Sequence, residues 1–130
     1  MSDKGQLTTN FHIREFKCND GTKVPQELFD NVKELAENLQ VLRDYICETL
    51  HINSAYRHEA YNKKIGGSPK SQHLKAKASD LVSKSFTPKQ LAARIKKLIL
   101  AGKMKQGGVG IYPSFVHYDT FFNGKNPRRW

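Results

Sequence analysis

Cysteine is scarce. Only Cys18 and Cys47 occur in 130 residues, too few for a disulfide framework and without C-x-x-C spacing, so both are expected to be buried thiols. No apolar run approaches the roughly 20 residues that a membrane-spanning helix needs, which excludes a chain that crosses a bilayer by itself. The N-terminal MSDKGQLTTN has neither the apolar core nor the small-residue cleavage pattern of a secretory signal. The chain is therefore read as mature or as made without a signal, and its compartment stays open. No internal repeat, low-complexity tract or Pro/Gly linker divides it, so one domain over residues 1–130 is expected, with residues 1–10 a flexible polar start. A chain of this length buries a substantial core without disulfides or a structural metal, which leaves any metal free for chemistry. Acidic residues are also few, 12 against 22 Lys and Arg, for a net charge of +10. That imbalance fits a solvated basic surface or a face for an anionic partner: nucleic acid, a membrane surface or an anionic wall polymer.

What is present is ordered by hydrophobic spacing. FHIREFKCNDGTKVP mixes short apolar alternation with an Asn-Asp-Gly turn signal and reads as an irregular arm. Pro25 suits the first turn of a helix. Phe29, Val32, Leu35, Ala36, Leu39, Leu42 and Ile46 recur at three and four, one core stripe on a long helix expected to end near Leu50. HINSAYR reads as a strand ending near Ala55, and HEAYNKKIGG as a short helix closed by Gly66 and Gly67. ASDLV begins another strand. Thr87, Pro88 and Gln90 make a capping-box start for a second amphipathic helix through Leu91, Ala92, Ile95, Leu98 and Ile99, stopped by Gly102. GGVGIYP and FVHYDTFF form a hairpin joined at Pro113 and Ser114. Helices first and a hairpin late give an α+β fold with a small, mainly antiparallel sheet.

Histidines stand at positions 12, 51, 58, 73 and 117. His73 and Asp80 are seven residues apart. Within one helix they would lie about 10.5 Å apart along the axis; within one strand the gap is about 23 Å and they face opposite ways. They meet only if the chain folds back between them. In FVHYD, Phe115, His117 and Asp119 share one strand face and Val116 and Tyr118 the other. With a fold-back after His73, then, His73, Asp80 and His117 supply two imidazoles and a carboxylate, the ligand set of a catalytic zinc site with a position open for water. Such a set leaves enough charge on the ion to lower the pKa of a water to about 7. The small side chains of Ala76 and Ala78 let a loop pack against a ligand-bearing strand.

The string Ser71-x-His73-x-x-Ala76-x-Ala78-x-Asp80 resembles the S-x-H-x-x-G-x-A-x-D motif of zinc peptidases of the D-Ala-D-Ala carboxypeptidase type, the M15 group, which shares a fold with hedgehog signalling domains. The likeness extends to SAYRHEAYN, to GVGIYPSFVHYD and to the basic terminal stretch ending in Trp, so it covers about Phe11 to Trp130. It implies a hedgehog/DD-peptidase-like fold, Zn2+ as cofactor, and His73, Asp80 and His117 as its ligands. It further implies that Ser71 and Arg57 contact a peptide substrate, the arginine holding a carboxylate through its planar fork; without the resemblance Arg57 reads as a plain surface ion pair. Two positions depart from the pattern. Ala76 replaces the motif glycine, which implies an unstrained backbone there rather than a positive φ. Ser114 stands where many relatives carry a carboxylate base, three positions before the second histidine. Asp119, on the same strand face as His117, is then the nearest carboxylate and is a candidate both for the base and for a residue that orients a ligand; the short cell-wall branch of the family ends in the same F-V-H-x-D form.

The expectation is a zinc metallopeptidase, of carboxypeptidase or murein endopeptidase type, cutting peptidoglycan stems or cross-links. Its partners would be peptidoglycan peptides and not nucleic acid. It would be a monomer acting at the bacterial wall or periplasm, and the basic surface and lack of a signal suit a phage lysis enzyme. Two other classes remain in view. One is a wall-binding module, with or without zinc, that lacks catalysis. The other is a basic nucleic-acid-binding domain using exposed aromatics such as Tyr112 or Trp130.

Overall fold

A computed structural model describes residues 5–130, so the first four residues of the expected polar start lie outside the described residues. The remainder of that start is tied down. Gln6 bridges His12, and Leu7 is buried in the core with Phe11 and Phe16. Two single 3-10 turns, Ile13–Phe16 and Gln26–Leu28, lead into helix α1, Phe29–Ile46.

The apolar stripe of α1 buries Val32, Leu35, Ala36, Leu39, Leu42 and Ile46; Phe29, at its first turn, stays exposed. Each fully buried leucine here contributes roughly 1.5–3 kcal/mol relative to exposure. The helix stops four residues before the expected Leu50. Cys47 adopts the left-handed conformation at φ 57° and its N–H closes on the Arg43 carbonyl at 3.1 Å, a cap that is usually glycine. Cys47 is exposed, against the expectation of two buried thiols, while Cys18 is buried.

Leu50 instead opens strand β1, Leu50–Ser54, which is followed by helix α2, Glu59–Lys64, a 3-10 turn at Gln72–Lys75 and strand β2, Ala78–Ser83. Helix α3, Pro88–Leu100, begins on the reciprocal Thr87/Gln90 capping box and is closed by Gly102 at φ +73°. Strands β3, Val109–Ile111, and β4, Val116–Asp119, complete the chain order. The fold is α+β: one four-stranded sheet in the order β1-β2-β4-β3, with every pairing antiparallel.

The pleat then sorts the side chains. Leu81, Val116, Tyr118 and Val109 join α1 and α3 in the hydrophobic core. Their neighbours Asp80 and His117 point to the other face, since successive side chains alternate, and the register sets Asp80 directly opposite His117. Among the described residues no helix is long and apolar enough to cross a membrane.

Candidate metal centre

The turn that carries His73 is built locally. Ser71 caps it, its Oγ accepting from the His73 N–H at 3.2 Å. At the far end the N–H groups of Ala76 and Lys77 return to the His73 and Gln72 carbonyls at 3.3 and 3.1 Å, and the chain reverses into β2. The reversal puts Ala76 at φ 56°, which corrects the expectation of an unstrained backbone. A side chain in that region costs roughly 1–2 kcal/mol, and the glycine of the motif would avoid that cost.

The fold-back brings His73, Asp80 and His117 together, all buried, with donor atoms within 4.8 Å of one another. Asp80 Oδ1 lies 3.3 Å from His73 Nε2 and 3.3 Å from His117 Nδ1. Two metal bonds of about 2.0–2.1 Å at a tetrahedral angle separate their donors by about 3.3 Å. The donor set and its spacing therefore fit a zinc ion. Each imidazole is also fixed from behind by an acceptor. His73 Nδ1 donates to the Ala55 carbonyl at 2.6 Å, and His117 Nε2 donates to Asp119 Oδ2 at 2.7 Å. In the neutral rings these partners assign the tautomers, so that His73 Nε2 and His117 Nδ1 carry the lone pairs a metal ion would use, and a ring that takes up a second proton donates it to Asp80.

The electrostatics follow from the packing. Burial alone would raise the Asp80 carboxyl, but hydrogen bonds and charge from His117 and His73 hold it well below the usual carboxylate range. Burial opposes ionisation of Asp119 too, and His117, Arg128 and the Gly108 N–H outweigh it, so its pKa is lowered. For His117 burial pulls the pKa down, yet hydrogen bonds and charge from Asp119 and Asp80 leave it raised.

Arg57 and Ser71 border the same cleft of about 440 Å³, as do Lys70, Tyr112 and Trp130. The Arg57 guanidinium is held by Ser54 Oγ at 3.2 Å, Asn62 Oδ1 at 3.4 Å and Asp80 Oδ2 at 3.3 Å. It is not a plain surface ion pair, being mostly buried. Asp119 spends both oxygens: Oδ2 on His117, Oδ1 on the N–H groups of Gly108 and Phe121, each at 3.0 Å, and on Arg128. Ser114 is exposed on the β3–β4 turn and does not line the cleft.

Residues 6–119 match the family described as peptidase M15. The chain belongs to the peptidase M15 family. Membership makes it a peptidase, in a family of metallopeptidases. No curated protein matches this M15 peptidase.

Several groups that build the site of this M15 peptidase left little trace in the sequence. Asn62 is buried, and its Nδ2 donates to the Ser68 carbonyl at 2.8 Å, holding the loop opposite the strands while its oxygen receives Arg57. The Gly-Gly-x-Gly of residues 107–110 was legible only as the start of a strand. A Cβ at Gly108 would overlap the Asp119 carboxylate and one at Gly110 the Trp130 indole, so these glycines admit the terminal residues to the site. There the Trp130 ring lies 4.9 Å from the His117 ring, its Nε1–H donates to Tyr112 Oη at 2.7 Å, and Tyr112 stacks on Phe115 at 4.4 Å.

A second group with metal-ligand chemistry, Cys18, Asp20 and His58, lies outside this centre. Its His58 Nε2 contacts Asp20 Oδ2 at 2.5 Å, while His58 Nδ1 accepts the Tyr61 N–H at 3.3 Å as the cap of α2. The His58 contact is the main cause that lowers the Asp20 pKa.

Proposed function

We propose that this M15 peptidase is a zinc-dependent enzyme that hydrolyses peptide bonds in the stems or cross-links of bacterial peptidoglycan. The observation that carries the reading is the spacing of His73, Asp80 and His117, 3.3 Å between each imidazole nitrogen and the carboxylate oxygen, at the base of a cleft rimmed by Arg57, Lys70 and Arg128. A zinc ion held by those three residues supplies a Lewis acid for the scissile carbonyl and acidifies water. The chain's own side chains do the rest. Asp119 and the Ala55 carbonyl hold the two imidazoles in the tautomer that keeps a lone pair toward the ion. Arg57 orients the substrate through a carboxylate, since its fork is already braced by Ser54 and Asn62. Ser71 lies at the rim, where it can meet the peptide.

Of the two roles open to Asp119, orientation is favoured. Oδ1 takes three donors and Oδ2 takes the His117 N–H, and the residue is wholly buried, an arrangement that serves to hold the imidazole rather than to meet an attacking water. The basic surface, net +10, suits a monomeric catalyst retained on an anionic wall, as in a phage lysis enzyme or a wall-remodelling enzyme, with no nucleic-acid partner required.

Digestion of purified peptidoglycan by wild type and by His73→Ala, with new termini identified by mass spectrometry, tests this. Wild type is expected to release peptides and the variant none; equal cutting by both removes the zinc reading. A wall-binding module without catalysis is the second reading, favoured by Ser114 in place of a carboxylate and by the engaged state of Asp119. Zinc content with no peptide release would select it.

A further inference from the structure

The matched family region ends at residue 119, and the residues after it return to the site. Val109 N–H donates to the Arg128 carbonyl at 3.0 Å, and the Trp130 N–H and carbonyl pair with Val109 and Ile111 at 3.1 and 2.8 Å. Residues 128–130 thus run alongside β3 as a strap, seated over Gly108 and Gly110. Arg128 reaches inward from it. One guanidinium nitrogen donates to both Asp119 Oδ1 and the Phe121 carbonyl. The guanidinium carbon lies 5.2 Å from the Phe121 ring centre and 6.0 Å from that of Trp130, within the range of cation–π attraction. An arginine held on three sides has little freedom to release its carboxylate.

We propose that Arg128 is a positioning residue of the metal centre: by anchoring Asp119 Oδ1 it fixes the carboxylate rotamer in which Oδ2 holds the His117 ring, and so keeps His117 Nδ1 aimed at the ion. The inference rests on the metal reading of His73, Asp80 and His117, and adds to it a group ten residues beyond the last family-matched position but one. The chain of contacts is continuous. Arg128 meets Asp119, Asp119 meets His117 at 2.7 Å, and His117 meets Asp80 at 3.3 Å. The Asp119 carboxylate turns on a broad, roughly two-fold torsion; of the three donors on Oδ1, Arg128 is the charged one, and a charge-assisted hydrogen bond, about twice as strong as a neutral one, holds that torsion more tightly than the two N–H groups do alone. Loss of Arg128 should still leave a folded protein, because Asp119 keeps His117 and the Gly108 and Phe121 N–H groups.

The test uses cobalt(II) alone and the chain's single tryptophan, which lies beside His117 and is quenched by a paramagnetic ion bound there. Fluorescence titration of metal-free protein gives the affinity, and the visible cobalt spectrum reports the ligand geometry. Arg128→Gln is expected to weaken cobalt binding about tenfold, the low end for partners behind a metal ligand, and to alter the spectrum, while the metal-free protein keeps a cooperative melting transition, at a lower temperature because Asp119 loses its charged partner. Arg128→Lys, which retains the charge, should recover part of the affinity. If Arg128→Gln is folded and binds with wild-type affinity and spectrum, the positioning role is overturned and the metal reading stands. If wild type shows no quenching that His73→Ala abolishes, both fall.

Discussion

Two groups of three side chains in this molecule look alike in composition and differ in what stands behind their imidazoles. At the sheet, His73 and His117 each donate one ring N–H to an acceptor, the Ala55 carbonyl and Asp119, which frees the other nitrogen. Those free nitrogens stand 3.3 Å from Asp80, the separation of two ligands on one ion. At the Cys18–Thr22 turn the ring of His58 is reversed in this sense. Its Nδ1 already accepts an N–H from Tyr61, so Nε2 carries the proton and donates it to Asp20 at 2.5 Å. The first group has the spacing that would suit an ion, and the second shares a proton. A list of residue types does not separate them; the partner of the far ring nitrogen does.

The largest expected effect that tests this contrast is at Asp119. Asp119→Asn should lower equilibrium zinc affinity by about 10–100-fold, as for other groups that hold a metal-bound histidine; competition with a chromophoric chelator measures it. Turnover lost at unchanged affinity would instead make Asp119 the base. Next comes pH. The pKa of His117 in the metal-free protein is raised above the ordinary value of about 6.5, and zinc must displace its proton. Affinity is therefore expected to rise with pH, by about tenfold per unit while His117 is protonated, and to level off only above the raised value. A profile already flat below pH 6.5 would contradict the geometry around His117.

A smaller effect is expected at the fold-back. Ala76→Gly relieves a positive φ but removes a methyl group buried in the core and adds entropy to the unfolded chain, so the left-handed penalty of roughly 1–2 kcal/mol is largely offset and stability should change by less than about 1 kcal/mol; urea unfolding reads it, and a loss of about 2 kcal/mol or more, the net cost of a glycine with no strain to relieve, would sink the idea. The smallest effect is none. In Cys47→Ser protein, cobalt should bind without a thiolate-to-metal charge-transfer band, since the proposed ligands His73, Asp80 and His117 offer no sulfur. A band that vanishes on Cys18→Ser would show that the turn binds an ion too, and would break the comparison.

Much of this was legible beforehand where the signal is local. The α1 stripe, the Thr87/Gln90 capping box and the β3–β4 hairpin each depend on residues a few positions apart; the capping box formed as read, the stripe did so except for Phe29, which is exposed, and the hairpin formed with shorter strands, the second ending at Asp119 rather than running on to Phe122. Two departures share one cause. Cys47 and Ala76 both adopt the left-handed conformation, for which neither residue type carries a signal, so the end of α1 and the strain at the fold-back were missed. Arg128 and Asn62 were invisible for another reason: each acts on a partner brought near only by the folded chain.

By itself the sequence determined the elements, the α+β class and the types of donor available, because helical and strand periodicity and side-chain chemistry are properties of short stretches. Only the tertiary structure decided which nitrogen of His117 faces Asp80, that both oxygens of Asp119 are taken, and that the chain's last residues reach the site. Those outcomes depend on the register of β2 against β4 and on the packing of the terminal strap over glycines. No short window of residues contains them.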